Sequence, residues 1–272
     1  MTETIGFIGL GALGAPIAGN LLDAGYALRV YNRTAAKAEA LVARGAERAE
    51  QPADAVRPGG IVASLLWDDA SVEEVVAGEG FLEALRPGGV HISMSTISPE
   101  GSRRLAAMHV ERGCLFVEAP VFGRPEAAFA RQLWIACAGA KVAVERVRPI
   151  LEAMGAAGVF DFGEQVGAAT TVKLVGNFMI GAAARSLAEG LTVAEAAGCD
   201  PKAVIAMLTT TLFPAPIYQS YGRMIADKTL VMNPSQAAIG RKDGALFRAM
   251  AAGVGAATPM ADFMVGASGA RS

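Results

Sequence analysis

Near its N-terminus the chain reads Ile5-Gly6-Phe7-Ile8-Gly9-Leu10-Gly11-Ala12-Leu13-Gly14, an apolar strand followed by the pattern G-x-G-x-x-G and a helical run. In this pattern the first glycine permits a tight turn, the second lets the backbone approach a pyrophosphate, and the third allows close helix–strand packing. The amides at the start of the helix then face the phosphate charge. The sequence therefore predicts a dinucleotide site that is formed by Gly9, Leu10, Gly11, Ala12, Leu13 and Gly14.

The end of the second predicted strand, Val30-Tyr31-Asn32-Arg33-Thr34, bears on which dinucleotide is bound. An NAD site usually carries a carboxylate about 20 residues beyond the glycines, where it binds the ribose hydroxyls. Here Asn32 takes that place, and Arg33 and Thr34 follow it. A carboxylate would repel a 2′-phosphate, whereas a guanidinium beside neutral donors can bind one. The sequence predicts NADPH rather than NADH, and the alternative for Arg33 is an ordinary solvated cation.

The pattern of strands and helices predicts two domains. Short apolar runs alternate with helical stretches in the first half, which is typical of an α/β Rossmann domain with a parallel sheet that is covered on both faces. From residue 167 to residue 197 one long helical stretch has no strand signal, and further helical segments follow. We expect an NADP-binding domain over residues 1–162 and an all-α domain for substrate binding and dimerisation over residues 163–272, joined by the long helix. The predicted strands cover residues 4–8, 27–31, 61–66, 90–93, 115–117 and 133–138.

Composition excludes several classes of protein. A net charge of −2 without basic runs argues against a nucleic-acid partner, and 53% hydrophobic residues argue against disorder. The apolar helical stretch carries too many charged residues for a membrane span. Three dispersed cysteines and two histidines predict neither a disulfide framework nor a metal site. We expect a cytoplasmic protein without a metal.

Five ordered motifs carry a resemblance to a known family: Gly6-Phe7-Ile8-Gly9-Leu10-Gly11, Met94-Ser95-Thr96-Ile97-Ser98-Pro99, Glu118-Ala119-Pro120-Val121, Lys173-Leu174-Val175-Gly176-Asn177 and Lys242-Asp243. With these motifs the chain resembles the β-hydroxyacid dehydrogenases over nearly its whole length. That family includes 3-hydroxyisobutyrate dehydrogenases, tartronate semialdehyde reductases and glyoxylate/succinic semialdehyde reductases. The resemblance implies an oxidoreductase that acts on a short carbonyl compound or hydroxy acid, with its active site between the two domains.

The resemblance also implies roles for individual residues. Lys173 matches the catalytic lysine, and Asn177 matches an asparagine that helps to hold the substrate. Thr96 matches a residue that contacts both cofactor and substrate, and Lys242 matches a lysine near the nicotinamide end. Further cofactor contacts are implied for Leu65 and Leu66.

Local chemistry agrees with the implied role of Lys173. Lys173 and Asn177 are four residues apart on one predicted helix, so they share a face. Hydride arriving at a carbonyl carbon leaves negative charge on the oxygen, and a nearby ammonium can donate a proton and stabilise that charge. The alternative for this pair is a solvated helix face.

The chain departs from the family pattern after Val121. Where the family commonly has Ser-Gly-Gly, the sequence has Phe122-Gly123-Arg124-Pro125. These positions are expected to contact substrate: Phe122 replaces a hydroxyl with an apolar wall. Arg124 would either bind a substrate carboxylate or lie on a surface loop, and the sequence leaves both open.

The sequence thus predicts an NADPH-dependent reductase of a small aldehyde or keto acid, or the reverse oxidation, with Lys173 as proton donor. The alternatives are an enzyme like the imine reductases and reductive aminases, or a catalytically idle NADPH-binding module. A large apolar surface on the helical domain predicts a homodimer or homotetramer. We expect His91 in the core, His109 at the surface, and Trp67 and Trp134 in the core or a cleft.

Overall fold

The computed structural model describes residues 3–231 and 233–269. The chain divides into two compact units, one ending at Lys173 and one beginning at Leu174. The predicted boundary after residue 162 lies 11 residues (173 − 162) before this division. The division falls within a single long helix, which begins in the first unit and continues into the second.

The first unit is built on a sheet whose strands within the described residues are β1 (Thr4–Ile8), β2 (Ala27–Tyr31), β3 (Glu47–Arg48), β4 (Ile61–Ser64), β5 (Val90–Ser93), β6 (Leu115–Glu118), β7 (Val121–Phe122), β8 (Leu133–Gly139) and β9 (Ala156–Asp161). Their order is β3-β2-β1-β4-β5-β6-β8-β7, and β9 pairs with β8. The first six strands are parallel, as the alternation of strands and helices predicts.

One edge of the sheet departs from the parallel arrangement that the rest of the sheet follows. Strand β8 runs antiparallel to both β6 and β7, although β8 and β9 are parallel to each other. The physical reason is the connection from β7 to β8, because its ten residues, 123–132, are too few for the crossover that a parallel neighbour requires. Strands β3 and β7 have two residues each and are too short to be recognised from the sequence, and β9 is absent from the predicted strands although four of its six residues are apolar.

Helices of the first unit cover the sheet: α1 (Gly14–Asp23), α2 (Glu39–Val42), α3 (Asp69–Ala77), α4 (Phe81–Leu85), α5 (Pro99–Glu111), α6 (Pro125–Phe129) and α7 (Lys141–Ala153). The predicted helix over residues 35–44 is instead a 3₁₀ turn, Ala35–Ala38, that leads into the short α2. Gly25 and Gly113 follow helical runs with φ of 86° and 66°, as expected of left-handed positions that end a helix.

The second unit is helical within the described residues. Its helices are the larger part of α8 (Ala168–Ala196), then α9 (Pro201–Thr210), α10 (Pro216–Ala226), α11 (Pro234–Gly253) and α12 (Pro259–Gly269). The predicted cap of α9 is confirmed, because the Asp200 carboxylate accepts a hydrogen bond from the Lys202 amide. No helix among the described residues is long and apolar enough to cross a membrane.

The two histidines, His91 on β5 and His109 on α5, form a buried pair, which corrects the prediction that His109 lies at the surface. Both side chains are fully buried, as predicted for His91 alone. His109 Nδ1 lies 2.7 Å from the Leu105 carbonyl, His91 Nδ1 lies 3.1 Å from His109 Nε2, and His91 Nε2 lies 2.8 Å from Ser64 Oγ. The charged neighbours of His109 on α5 suggested exposure, but His109 occupies the buried face of that helix. Trp67 and Trp134 are 47% and 50% exposed, so neither lies in the core, which was one of the two places expected for them.

Candidate functional site

The glycine-rich turn between β1 and α1 has the geometry that its sequence predicts. Gly9 has φ of +98°, and a Cβ there would lie 2.2 Å from the Leu65 carbonyl oxygen. A Cβ at Gly14 would lie 2.0 Å from the Gly9 carbonyl oxygen, whereas a Cβ at Gly11 would meet nothing within 4 Å. Gly9 and Gly14 are therefore required by the protein's own packing, and Gly11 borders open space where a phosphate can approach.

The start of α1 offers its amides to an anion. Among the described residues no side chain caps this helix at Leu13, and its first turn contains no acidic residue. Backbone N–H groups at an uncapped helix start carry partial positive charge. This end of α1 fits a dinucleotide pyrophosphate without any rearrangement of a capping group.

Asn32 ties the glycine-rich turn to the end of β2. Its Oδ1 accepts a hydrogen bond from the Leu10 amide at 2.9 Å, and its Nδ2 donates to the Thr34 carbonyl at 3.0 Å. Asn32, predicted to be a neutral donor to the cofactor, therefore uses its side chain to hold the glycine-rich turn.

A small cavity adjoins this loop and contains a second guanidinium that the sequence analysis missed. Its volume is about 210 Å³, and its lining includes Asn32, Arg33, Arg48 and Glu50. Arg48 Nη2 forms an ion pair with Glu50 Oε1 at 2.6 Å. Only the position of β3 beside β2 brings residues 15 apart in the sequence to one cavity. The cavity thus holds two guanidiniums and one carboxylate, and the carboxylate is already paired with Arg48.

Three further predicted cofactor residues, Leu65, Leu66 and Thr96, follow the carboxyl ends of two central strands. The Leu65 amide donates to the Ile8 carbonyl at 2.9 Å, which joins the end of β4 to β1. The Leu66 amide donates to Ser95 Oγ at 2.8 Å, and Thr96 is the next residue after Ser95. Ligands of open α/β sheets bind at this edge, outside the carboxyl ends of the strands.

Lys173 lies in the first unit and faces an aromatic ring. Its side chain is nearly buried, with 9% of the residue exposed, and its Nζ lies 4.3 Å from the centroid of the Phe122 ring. This distance is within the range of a cation–π interaction. Both residues are predicted site residues, and the structure brings them together.

The start of α8, one to two turns before Lys173, is held by the buried carboxylate of Glu118. Glu118 Oε2 accepts from the Gly167 and Ala169 amides at 3.0 and 3.2 Å, and Oε1 accepts from Thr170 Oγ1 at 3.0 Å. Burial raises the pKa of this carboxyl, and hydrogen bonds from its partners oppose the rise. A carboxylate at a helix N-terminus stabilises the helix. Glu118 belongs to one of the five motifs, but nothing in the sequence indicates this role.

In the second unit, Asn177 and Lys242 share one partner, Asp243. Asn177 Nδ2 donates to Asp243 Oδ2 at 2.7 Å, and Lys242 Nζ pairs with Asp243 Oδ1 at 2.9 Å. Stacked rings of Phe178 and Phe247, with centroids 4.4 Å apart, pack the same two helices, α8 and α11. Asp243 therefore orients two predicted site residues that are far apart in the sequence.

Gly123 and Arg124 leave strand β7 on the way to α6. Gly123 has φ of +143°, and a Cβ there would lie 2.5 Å from Leu133 Cδ2. Arg124 is half-exposed, and its Nε lies 3.5 Å from Glu126 Oε2.

Among the described residues, no cluster of three or more potential ligands could hold a metal ion.

Comparison with known proteins gives relatives along nearly the whole chain. Residues 4–176 match the model of the NAD binding domain of 6-phosphogluconate dehydrogenase. An uncharacterized oxidoreductase of Bacillus subtilis, YfjR, is 41% identical over 95% of this chain and 90% of its own. Glyoxylate/succinic semialdehyde reductase 2 of Arabidopsis thaliana is 33% identical over 81% of this chain and 62% of its own. The NAD-dependent L-serine dehydrogenase of Pseudomonas aeruginosa is 36% identical, over 74% and 67%.

Solved structures share the same architecture. A 3-hydroxyisobutyrate dehydrogenase of Mycobacterium tuberculosis, solved with L-serine, superposes with a TM-score of 0.82 at 26% identity, covering 97% of this chain and 91% of its own. An imine reductase of Streptomyces aurantiacus superposes with a TM-score of 0.69 at 25% identity, covering 97% and 93%.

Proposed function

The chain belongs to the β-hydroxyacid dehydrogenase family, whose N-terminal domain is that of 6-phosphogluconate dehydrogenase, and from this premise we propose that it reduces a small aldehyde or keto acid with NADPH. Its relatives establish it as an NAD(P)-dependent oxidoreductase that acts on hydroxyl or carbonyl groups. The observation that carries the proposal is the nearly buried ammonium of Lys173, in the same unit as the open glycine-rich turn.

The residues of the first unit fit a dinucleotide. Gly11 leaves room for the pyrophosphate, and the uncapped start of α1 supplies N–H donors. Arg33 supports the choice of NADPH, because a guanidinium binds a 2′-phosphate better than it binds ribose hydroxyls, and Arg48 would add a second guanidinium on turning from Glu50 to that phosphate. The L-serine dehydrogenase relative is NAD-dependent, so the proposed preference for NADPH is argued from this chain's own residues and is tested separately.

When bound, the reduced nicotinamide supplies a hydride to the carbonyl carbon. Lys173 then stabilises the charge on the carbonyl oxygen and donates a proton to it. Glu118 holds the start of α8 and thereby positions Lys173. Asn177, one helical turn further on, orients the substrate through its amide, whose direction Asp243 sets.

The proposal is tested by carbonyl-dependent oxidation of NADPH beside a direct NADPH titration. We expect Lys173→Ala to lower kcat by about 100- to 10,000-fold, the usual contribution of a positioned acid, and to leave NADPH affinity within a few-fold. Lys173→Arg should not restore the rate, because a guanidinium holds its proton too tightly to donate it. Asn177→Ala should cost less. A folded Lys173→Ala protein that binds NADPH and turns over near the wild-type rate would refute the mechanism.

The cofactor preference is tested with arginine variants. We expect Arg33→Ala and Arg48→Ala each to weaken NADPH binding by about 1–3 kcal/mol, the range for a charge-assisted contact, and to leave NADH binding little changed. Arg112→Ala is the matched control, because Arg112 also pairs with a surface glutamate but lies far from the cavity in sequence and lines no part of it. Equal kcat/KM of the wild type for both cofactors would overturn the NADPH proposal.

An imine reductase is the second candidate, and the superposition with the Streptomyces aurantiacus enzyme favours it. A cyclic imine belongs in the substrate panel for this reason. Turnover of imines but not of aldehydes would replace the main proposal. NADPH binding without turnover of either class would favour the idle binding module.

Assembly and location are part of the same proposal. We propose a homodimer or homotetramer, because the second unit exposes large apolar side chains, among them Val193 (68% exposed) and Leu212 (69% exposed). The three cysteines are free, which suits a reducing compartment such as the cytoplasm. Light scattering of the purified protein distinguishes these assemblies from a monomer.

A further inference from the structure

We propose that Glu50 is a specificity-determining residue that lowers the affinity for NADPH by holding Arg48 away from the 2′-phosphate, and thereby narrows the preference for NADPH over NADH. This inference rests on the proposed use of NADPH. It adds to that proposal a residue that limits the preference, and it predicts that the removal of one charge improves the binding of the cofactor.

The first observation is the charge of the cavity beside the glycine-rich turn. Within the described residues, the charged side chains that line it are those of Arg33, Arg48 and Glu50. Arg33 lies two residues beyond the end of β2, where a dinucleotide-binding fold meets the adenosine ribose. A 2′-phosphate brings about two negative charges to a place that already contains a carboxylate. Because like charges repel at short range, Glu50 disfavours this ligand.

The second observation is that the extended chain at β3 sets Arg48 and Glu50 against each other. The Ala49 amide donates to the Val30 carbonyl at 2.9 Å, so the pairing with β2 continues one residue beyond β3. Glu50 Oε1 accepts from Arg48 Nη2 at 2.6 Å and from Arg48 Nε at 3.2 Å. These two nitrogens form one of the guanidinium edges that bind a phosphate through two parallel hydrogen bonds. Glu50 therefore occupies the edge that a 2′-phosphate would use.

The third observation concerns the strength of this competition. The side chains of Arg48 and Glu50 are 47% and 76% exposed, so water and salt screen their ion pair. An exposed ion pair is worth about two- to fivefold in an equilibrium constant. A phosphate with its larger charge displaces such a partner, and the binding of NADPH then loses this factor. NADH has no 2′-phosphate, so its binding leaves the ion pair intact.

The test measures binding rather than turnover. Isothermal titration calorimetry compares NADPH with NADH, and adenosine 2′,5′-bisphosphate with adenosine 5′-monophosphate; the second pair differs only in the 2′-phosphate and contains no nicotinamide. Glu50→Gln keeps the size of the side chain and removes its charge. We expect this variant to bind NADPH and the bisphosphate about two- to fivefold more tightly than the wild type does, and to bind the other two ligands within about 1.5-fold.

A double-mutant cycle tests whether Glu50 acts through Arg48. In the Arg48→Ala background, Glu50→Gln should change the affinity for NADPH by less than about 1.5-fold, because no ion pair is left to break. Glu47→Gln is the matched control. Glu47 is also exposed and pairs with an arginine, Arg29, at 2.7 Å, but it is not among the described residues that line the cavity. This control should leave all four affinities within about 1.5-fold.

Several results would overturn the inference. An unchanged or lower affinity of Glu50→Gln for NADPH would show that Glu50 does not compete for Arg48. An equal gain in the Arg48→Ala background, or from Glu47→Gln, would trace the effect to net charge alone. A loss of NADH affinity in Glu50→Gln would show that Glu50 binds the ribose instead.

Failure of the proposed function looks different. In that case the wild type would bind NADH and the monophosphate at least as tightly as NADPH and the bisphosphate, or no carbonyl compound would oxidise NADPH. The change that Glu50→Gln makes in the affinity for each ligand is measured in either case, and it decides the role of Glu50 by itself.

Discussion

The buried histidine pair predicts a specific loss of stability in acid. The carbonyl of Leu105 can only accept, so His109 carries its proton on Nδ1, and a neutral His109 then accepts at Nε2 from His91 Nδ1. His91 Nε2 in turn accepts from Ser64 Oγ. Protonation of either ring would place two N–H donors against each other or leave a charge buried among Phe81 and Phe116. The chain of hydrogen bonds requires both rings to stay neutral.

The size of the effect follows from the pKa values. Burial lowers the pKa of His109 from 6.5 to about 4, with its hydrogen bond to Leu105 opposing, and burial together with the charge of His109 lowers that of His91 well below 6.5. Between pH 6.5 and pH 4 the unfolded chain therefore binds more protons than the folded protein does, so stability falls as the pH falls. At about 1.36 kcal/mol per pH unit, His109 alone lowers the free energy of unfolding by about 2–3 kcal/mol between pH 7 and pH 4.5.

Two measurements test this prediction. Urea unfolding at both pH values should show a smaller acid loss in His109→Leu than in the wild type, even though the variant is less stable at pH 7. The chain has two histidines, so ring proton signals in an NMR titration can be followed individually. A ring that titrates near pH 6.5 in the folded protein would refute the reasoning. Equal acid losses in wild type and variant would do the same.

Two further predictions concern the site loops. Gly11→Ala should keep the wild-type unfolding midpoint, because its Cβ meets no protein atom within 4 Å, but it should lose most NADPH affinity, because the Cβ fills the space that the phosphate needs. Gly14→Ala should lower the free energy of unfolding by about 2 kcal/mol or more, because its Cβ would lie 2.0 Å from the Gly9 carbonyl oxygen. Thermal unfolding with and without NADPH separates the two, and equal unfolding midpoints would contradict the packing argument. Arg124→Ala should change the free energy of unfolding by less than about 0.5 kcal/mol, since its pair with Glu126 is exposed, and should alter KM equally for acidic and uncharged aldehydes. A rise in KM confined to acids would instead show that Arg124 binds the carboxylate.

The local patterns of the sequence determined the glycine-rich turn and the parallel core of the sheet. Strands and helices are recognised from patterns within a short window of sequence. Gly9 and Gly14 are required by the turn that they themselves form, so their roles are also visible locally. The resemblance added Lys173 and Asn177, whose separation of four residues on a helix guarantees a common face.

Tertiary structure alone decided which residues meet across long intervals of sequence. Arg48 reaches the Arg33 cavity because β3 pairs with β2, Glu118 caps α8 from 49 residues away, and Asp243 bonds to Asn177 across 66 residues. The burial of His109 depended on which face of α5 meets the sheet, and its charged sequence neighbours gave the opposite indication. Such contacts arise from strand order and helix packing, which bring together residues without any local signal in the chain. The contact between the Phe122 ring and Lys173 is of this kind, since only the folded sheet sets this ring against the ammonium.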